Sequence, residues 1–266
     1  MSRPRPRRSS SAFVTAAIAL SLLRASPVSA IVVRHDRSPA AFERLGDLYP
    51  AAVSLSPQGG RGESTLIAPE WLLTAAHVAE HMKPGREIVI DGETYRAVQI
   101  AAHPDWQLRP IQHDIALIRL DRAVSGRQPA ALYRGDEEEG ATVVFIGAGT
   151  SGTGRTGPER DDRVRRLATN RVDAADAMWV RFRFDAPGEP GSSWLEGISG
   201  MGDSGGGALM ETGEGLVVIG VSSWQDTSPT QRAQGRYGVV EHYTRVSTHA
   251  GWLDEVMASP APAEDS

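Results

Sequence analysis

Short apolar runs recur along the chain and are separated by Gly, Pro, Asp and Asn, so few of them are long enough for a helix. In the run at 178–184, two arginines alternate with valine and phenylalanine, which is the period-two pattern of a half-buried strand. Two sets of such runs predict an all-β protein of two antiparallel β-barrels. The first set covers 51–55, 64–67, 71–73, 87–90, 95–100 and 115–118, and the second covers 142–146, 163–172, 178–184, 207–210, 216–221 and 236–240.

Two short helices complete the predicted elements. Residues 77–81 form one helical turn, which Pro84 ends, and Ser247 caps a C-terminal helix that runs to about Met257. An exposed acidic connection at 136–139 marks the boundary between the barrels. We therefore expect a first barrel at 31–135, a second barrel with the C-terminal helix at 136–258, and a disordered tail at 259–266 that is rich in Pro, Ala and acids.

The first 30 residues have the composition of a secretory signal. They contain five arginines and no acid: four arginines come first, an apolar run at 12–23 follows, and the small residues Val28, Ser29 and Ala30 end the segment. The apolar run is too short to span a bilayer, so the sequence predicts a signal peptide at 1–30 and a secreted or periplasmic protein. Removing five positive charges takes the net charge from −5 to −10, and we expect no nucleic-acid partner. After removal of the signal peptide, no remaining segment is apolar enough to cross a membrane.

The chain has 266 residues, of which 40% are hydrophobic, and it contains no cysteine. A chain of this size can bury a stable core without disulfides. The absence of cysteine excludes thiolate catalysis and cysteine metal sites.

Three stretches carry residue types that together could perform nucleophilic catalysis. Residues 202–207 read Gly-Asp-Ser-Gly-Gly-Gly, and such a turn can expose the Ser204 hydroxyl beside main-chain N–H groups. His77 follows an apolar run and could take the serine proton, and Asp114 could orient its ring. Taken one at a time, residues 202–207 could be an ordinary glycine loop, His77 a core histidine and Asp114 a turn residue. Their order, His, Asp, Ser, predicts a catalytic triad.

The stretches at 72–77, 114–117 and 202–206, with 221–224 and 243–246, resemble the chymotrypsin/trypsin-like serine proteases, in a secreted, bacterial-type form without cysteines. This resemblance implies two barrels of the chymotrypsin type and a serine endopeptidase that hydrolyses protein or peptide substrates through an acyl-enzyme. It also implies an oxyanion hole made by the Gly202 and Ser204 N–H groups, and no metal or organic cofactor. No inhibitor protein can be named from the sequence.

The resemblance also assigns a substrate pocket. Ile198, six residues before Ser204, would form its floor, and Ser223, Trp224, Gln225 and Gly238 would bind substrate. An apolar floor does not compensate a buried Lys or Arg charge, so we expect cleavage after uncharged side chains. Gln225 stands where the family usually has glycine, which narrows the pocket.

An alternative for the pocket stays open. A shift of the loop at 191–200 could bring Glu196 inward, and Asp226 is another nearby acid. Either carboxylate would favour a basic side chain.

Cleavage after Ala30 would create an N-terminus at Ile31, followed by Val32. In the resembling family, such an α-amino group pairs with the aspartate before the catalytic serine, here Asp203. We therefore expect signal removal itself to activate the enzyme. The alternative is that Ile31 starts an edge strand and Asp203 caps a turn.

Two competing functions are open. His77, Glu80 and His81 fit H-x-x-E-H, an inverted zinc-peptidase signature. A catalytically silent binding protein on the protease scaffold is the other possibility. His103 and His113 are expected to be structural or solvent-facing.

Overall fold

A computed structural model describes residues 31–55, 62–228 and 233–260. The predicted signal peptide and the end of the predicted tail lie outside the described residues. Within them, the first half of the chain forms ten strands and two short helices: β1 (Ile31–Val33), α1 (Pro39–Glu43), β2 (Ala52–Ser54), β3 (Glu63–Ala68), β4 (Trp71–Thr74), α2 (Ala76–Ala79), β5 (Glu87–Ile90), β6 (Glu93–Ala102), β7 (Gln107–Leu108), β8 (Ile111–Gln112), β9 (Ala116–Leu120) and β10 (Ala131–Leu132).

The second half of the described chain is also built from strands and ends in a helix. Its elements are β11 (Thr142–Gly147), β12 (Ser151–Thr153), β13 (Gly157–Arg160), β14 (Arg166–Arg171), β15 (Ala174–Ala175), β16 (Trp179–Arg183), β17 (Gly197–Ile198), β18 (Gly207–Thr212), β19 (Gly215–Asp226), β20 (Val240–Arg245), a 3₁₀ turn (Ser247–His249) and α3 (Ala250–Ala258).

Two barrel-like antiparallel sheets form the body of the molecule, which confirms the predicted fold class. The first sheet has the strand order β2-β3-β4-β9-β6-β5, and the second has the order β14-β11-β18-β19-β20-β16-β15 with β10 beside β19. In β16 the alternation of buried and half-buried residues follows the predicted period of two. Buried aliphatic side chains such as Leu66, Leu72 and Ile115 fill the first core, and the rings of Phe145, Phe182 and Tyr243 pack together in the second.

The two ends of the described chain cross to the opposite halves. Strand β1 lies in a four-stranded sheet with the order β13-β12-β1-β17, so it pairs only with strands of the second half. Helix α3 places Leu253 in the first core. Each half therefore contributes an end segment to the packing of the other.

Two predicted elements differ from the structure. The run at 236–240 is a turn, because Gly235 and Gly238 both have positive φ angles, and the strand begins only at Val240. Ser247 does not cap a helix with its side chain. Its hydroxyl donates to Glu138 instead, and the α-helix begins at Ala250 after a 3₁₀ turn.

Among the described residues, no helix is both long enough and apolar enough to cross a membrane.

Candidate active site

Strand pairing brings His77 and Asp114 to one edge of the first sheet. Strands β4 and β9 are antiparallel, with Thr74 opposite Ala116. His77 comes three residues after the end of β4, and Asp114 comes two residues before β9 begins. Because the end of one antiparallel strand meets the start of its neighbour, both side chains emerge at the same place.

Asp114 is buried and holds the imidazole ring of His77. Its Oδ2 lies 2.7 Å from His77 Nδ1, and its Oδ1 accepts the His77 main-chain N–H at 2.9 Å. Ser223 Oγ also donates to Oδ2 at 2.5 Å, and Thr244 Oγ1 donates to the Asp114 carbonyl at 2.9 Å. An ionised carboxylate only accepts hydrogen bonds, so the His77 proton resides on Nδ1. The other ring nitrogen, Nε2, therefore carries a free lone pair.

The loop at 200–206 leaves two main-chain N–H groups without acceptors. Its other amides are used: Gly200 donates to Asp203, Met201 to Thr150, Asp203 to Gly200, Gly205 to Ser222, and Gly206 to Asp203. Within the described chain, the N–H groups of Gly202 and Ser204 have no hydrogen-bond acceptor. Gly202 has a φ of 102°, a region that side chains disfavour. These two donors can therefore serve a ligand beside the Ser204 hydroxyl.

Ser204 lies between two cavities of different character. The larger cavity, of about 390 Å³, also contains His77 and has mainly apolar walls, including Leu55, Val78 and Met82. The second, which we call the polar cavity, has a volume of about 140 Å³. It is lined by Pro158, Ser199, Gly200, Met201, Ser204, Ser222, Ser223, Trp224, Gln225, Gln234 and Glu241.

Three of the five predicted substrate-binding residues line the polar cavity: Ser223, Trp224 and Gln225. Trp224 stacks on the ring of His242 with centroids 4.0 Å apart. Gln225 donates from Nε2 to the Ser199 carbonyl at 2.7 Å and accepts the Gly235 N–H at 2.9 Å. Gln225 thus ties two walls of the cavity together.

The other two predicted pocket residues lie elsewhere. Ile198 is fully buried opposite Val32 of β1, in a cluster with Phe184 and Val239. The next residue, Ser199, faces the polar cavity, because side chains alternate along an extended segment. Gly238 is in a turn, where its N–H donates to the Phe184 carbonyl. Neither Ile198 nor Gly238 is among the described residues that line the cavity.

Sequence reasoning missed Glu241, a buried carboxylate in the polar cavity. Its Oε2 accepts the Ser199 N–H at 3.1 Å, and burial raises the pKa of Glu241 to about 7. None of the described ion pairs involves this carboxylate. An acid in the run at 239–243, which is apolar apart from Glu241 and His242, is the signal in the sequence that could have found it. Neither Glu196 nor Asp226, the acids considered from the sequence, is among the described lining residues.

Asp203 is a second buried carboxylate, and it belongs to the 200–206 loop itself. It accepts the Gly149 N–H at 2.6 Å and the Gly200 N–H at 2.7 Å. Burial raises the pKa of Asp203 to about 6, although hydrogen bonds from Gly200, Gly149 and the main chain of Ile31 act in the opposite direction. Ile31 and Asp203 are therefore in contact. Strand β1 is an interior strand of its sheet rather than the edge strand of the alternative prediction.

The zinc-peptidase motif lacks the geometry for a metal site. Helix α2 has only four residues, and Glu80 follows it. Glu80 Oε1 accepts the Trp106 indole N–H at 2.6 Å, while His77 is bound to Asp114. These contacts engage two of the motif's three residues, His77 and Glu80, in other interactions.

Comparison with known proteins agrees with this geometry. A profile described as Trypsin matches residues 46–253. The chain belongs to the trypsin family. This family consists of serine proteases, and the match covers most of both barrel-like sheets.

Relatives in animals show the same relationship at low identity. Coagulation factor XII of Sus scrofa is 28% identical over 227 residues, which cover 73% of this chain and 35% of that protein. Serine protease 56 of Homo sapiens is 29% identical over 226 residues, with coverages of 76% and 35%. Complement C1s subcomponent of Sus scrofa is 28% identical over 244 residues, with coverages of 78% and 34%.

The chain spans about a third of the length of these curated relatives. The solved structure of human heparin binding protein matches with a TM-score of 0.61 and 20% identity, and the match covers 81% of this chain and 94% of that one. This second similarity concerns the fold alone. These relatives are animal proteins, so the predicted bacterial type of this trypsin-family chain is not confirmed.

Proposed function

We propose that this trypsin-family chain is a secreted or periplasmic serine endopeptidase that uses His77, Asp114 and Ser204. The observation that carries the proposal is that His77, bonded to the buried Asp114, lines one cavity with Ser204, beside which the Gly202 and Ser204 N–H groups have no acceptor in the described chain. Each part has a defined use in acyl transfer, and few other functions require all of them together.

The proposed reaction proceeds in two halves. Ser204 Oγ attacks the scissile carbonyl carbon while His77 Nε2 takes the hydroxyl proton, and the carbonyl oxygen becomes an oxyanion bound by the Gly202 and Ser204 N–H groups. The intermediate collapses, the C–N bond breaks, and His77 gives its proton to the leaving amine. Water then enters, loses a proton to His77 and attacks the ester carbonyl. Collapse of the second intermediate releases the carboxylic acid and restores the Ser204 hydroxyl.

Signal removal would complete the site. The Ile31 main chain already contacts Asp203, whose carboxylate is buried without a cation among the groups that bond to it. A free α-ammonium at Ile31 would place a positive charge against this carboxylate and favour its ionised form. The Asp203 carboxylate would then hold Gly149 and Gly200 more strongly, and with them the oxyanion loop.

In this proposal, Glu241 rather than Ile198 determines which substrate side chain the pocket prefers. We propose that the polar cavity takes the side chain before the scissile bond and favours Lys or Arg, contrary to the preference expected from an apolar floor. Glu241 is buried and lacks a cationic partner among the described ion pairs, so a substrate cation would complete it. Gln225 and Ser199 supply further polar groups to a bound ammonium or guanidinium.

The first test is cleavage of a mixed peptide library by the form that begins at Ile31, beside a Ser204→Ala control. We expect cuts that vanish in the control, and labelling of Ser204 by a fluorophosphonate in the wild type only. Labelling depends on an activated serine and not on the pocket. If neither cleavage nor labelling occurs, the silent binding protein replaces the peptidase as the better account.

The second test addresses specificity alone. Glu241→Gln should lower kcat/KM for Lys and Arg substrates by about tenfold to a hundredfold relative to Ala substrates, because a buried charged contact is lost. Glu196→Gln is the matched control, since Glu196 is equally buried but does not line the polar cavity. Equal losses on all substrates in Glu241→Gln would contradict the role of Glu241 and leave the peptidase proposal intact.

A further inference from the structure

Three histidines from separate parts of the chain meet in one cluster, and one of them is the residue before Asp114. His103 follows β6, His113 directly precedes Asp114, and His249 ends the 3₁₀ turn before α3. One ring nitrogen from each residue can be chosen so that all three lie within 4.8 Å of one another. His249 is buried, and the other two are half-buried. From this cluster we infer a binding site for a divalent transition-metal ion, with Zn²⁺ as the ion that best suits three neutral imidazoles.

Hydrogen bonds already orient one of the three rings for a metal. His249 Nδ1 lies 2.7 Å from the Arg245 carbonyl oxygen, which can only accept, so the proton is on Nδ1. Its Nε2 therefore carries a lone pair, which points at His113 Nδ1 at 3.0 Å. A ring that donates one N–H to a backbone carbonyl and offers its other nitrogen to the metal has the usual second-shell arrangement of zinc-bound histidines.

The spacing of the rings is close to what a metal requires. Zinc–nitrogen bonds of 2.0–2.1 Å in a tetrahedron place the nitrogens about 3.3 Å apart. The His113–His249 separation of 3.0 Å needs only a small expansion. His103 stacks on His113 with centroids 4.6 Å apart, so its ring must turn toward the shared centre and give up its 3.2 Å bond from the Asp105 N–H.

The cluster has no acidic partner that would explain it as an ion pair. In the described part of the chain, no carboxylate oxygen bonds to any of the three rings. Their neighbours are the Trp252 ring, 4.8 Å from His103 by centroids, and Met178 Sδ, which accepts the His113 N–H. At 3.0 Å from the His249 lone pair, His113 Nδ1 carries a proton and donates it to His249 Nε2, so metal binding requires this proton to move to the other ring nitrogen of His113. This site is independent of the proposed peptidase function and does not involve His77.

The test is direct binding of ZnCl₂ to the whole chain, purified without a histidine tag. We expect one Zn²⁺ per chain by equilibrium dialysis, and a rise in the melting temperature with zinc concentration because the metal binds the folded state. Cobalt(II) should give the intense visible absorption of a tetrahedral site. His103→Gln should weaken zinc binding by at least about a hundredfold, since losing a direct ligand costs more than losing an outer-shell partner.

Two matched variants locate the metal. His35→Gln changes a histidine that bonds Tyr237 far from the cluster, and it should bind zinc as the wild type does. His81→Gln changes the second histidine of the H-x-x-E-H motif and should also retain binding. His249→Gln gives a second removal of a ligand if His103→Gln folds poorly. Absence of stoichiometric zinc binding by the wild type overturns the inference, and so does stoichiometric binding that survives both His103→Gln and His249→Gln.

Discussion

The two halves of the chain bury different kinds of side chain. Among the described residues, the half at 31–135 buries two carboxylates, Glu63 and Asp114, whereas the half at 136–260 buries five: Glu138, Asp185, Glu196, Asp203 and Glu241. The first core is otherwise mainly aliphatic and is held by continuous strand pairing. Two of these five pair with arginine, Glu138 with Arg245 and Asp185 with Arg183.

The other three buried acids of the second half, Glu196, Asp203 and Glu241, accept main-chain N–H groups of loops. Glu196 accepts from Ser193 and Asp185, and Asp203 accepts from Gly149 and Gly200. Buried carboxylates that accept several amides hold a loop in one shape, because an unmade bond there is costly. The chain has no cysteine and therefore no disulfide to hold its loops. Buried acceptors of this kind hold loops that strand pairing does not stabilise. The first half supplies packing, and the second supplies polar loops positioned around the nucleophile.

The largest expected effect comes from the carboxylate that serves both halves. Asp114→Asn should lower kcat by about 10⁴-fold, because an amide no longer fixes the His77 proton on Nδ1. The measurement is steady-state peptide hydrolysis, with Asp105→Asn as a nearby control outside the triad. A loss of less than about tenfold would mean that the His77 orientation does not depend on this contact.

A smaller but still large effect on kcat is expected from Asp203, the buried carboxylate of the oxyanion loop. Asp203→Asn should lower kcat by about 10²–10³-fold with little change in KM, as does the loss of one oxyanion donor, because the loop at 200–206 loses its charged acceptor. Asp185→Asn is the control, since Asp185 is buried in the same half but does not bond to that loop. If both variants keep wild-type kcat, the bracing role of buried acids is wrong.

The same division determines what the sequence could predict. In the first half, short apolar runs and motif order predicted the main strands and selected His77 and Asp114 as candidates, and the antiparallel pairing of β4 with β9 brings these two residues together. In the second half, counting six residues back from Ser204 selected Ile198. The pairing of β17 with β1 instead places the Ile198 side chain in a buried hydrophobic cluster. Whether an irregular loop points a residue inward depends on tertiary hydrogen bonds, which leave no periodic signal.

Glu241 shows the same limit on a strand. The run at 239–243 is apolar apart from Glu241 and His242, and its pattern indicates a buried strand without indicating that one residue borders a cavity. The N–H group that Glu241 accepts belongs to Ser199, which is 42 residues earlier in the chain. A contact of this range is not encoded in local spacing.

Glu63 is a first-half carboxylate that resembles the buried acids of the second half. It is buried, and none of the described ion pairs involves it. Its Oε1 accepts the Ala148 N–H at 3.1 Å, and burial together with the charge of Asp203 raises the pKa of Glu63 from 4.5 to about 8. A carboxyl group with a raised folded-state pKa stabilises the fold fully only below its unfolded pKa. That contribution is lost as the pH rises through about 8.

Glu63→Gln keeps the shape of the protonated acid and removes this pH dependence. We expect the variant to be more stable than the wild type by about 1–3 kcal/mol near pH 8, with a difference that shrinks toward pH 5. Urea unfolding of Ser204→Ala backgrounds at several pH values measures it, and Glu87→Gln on the surface is the control. A difference that does not vary with pH would show that Glu63 titrates normally.

The smallest expected effect separates the charge of Glu241 from its shape. Burial raises the pKa of Glu241 to about 7, so its charged fraction increases as the pH rises through neutrality. The ratio of kcat/KM for a Lys substrate to that for an Ala substrate should therefore rise by up to about tenfold from about pH 6 to about pH 8. Any pH effect on the catalytic steps that the two substrates share cancels from the ratio. In Glu241→Gln the ratio should stay flat. A rise of the same size in Glu241→Gln would assign the pH dependence to another group and remove the main reason for a cationic pocket in the second half.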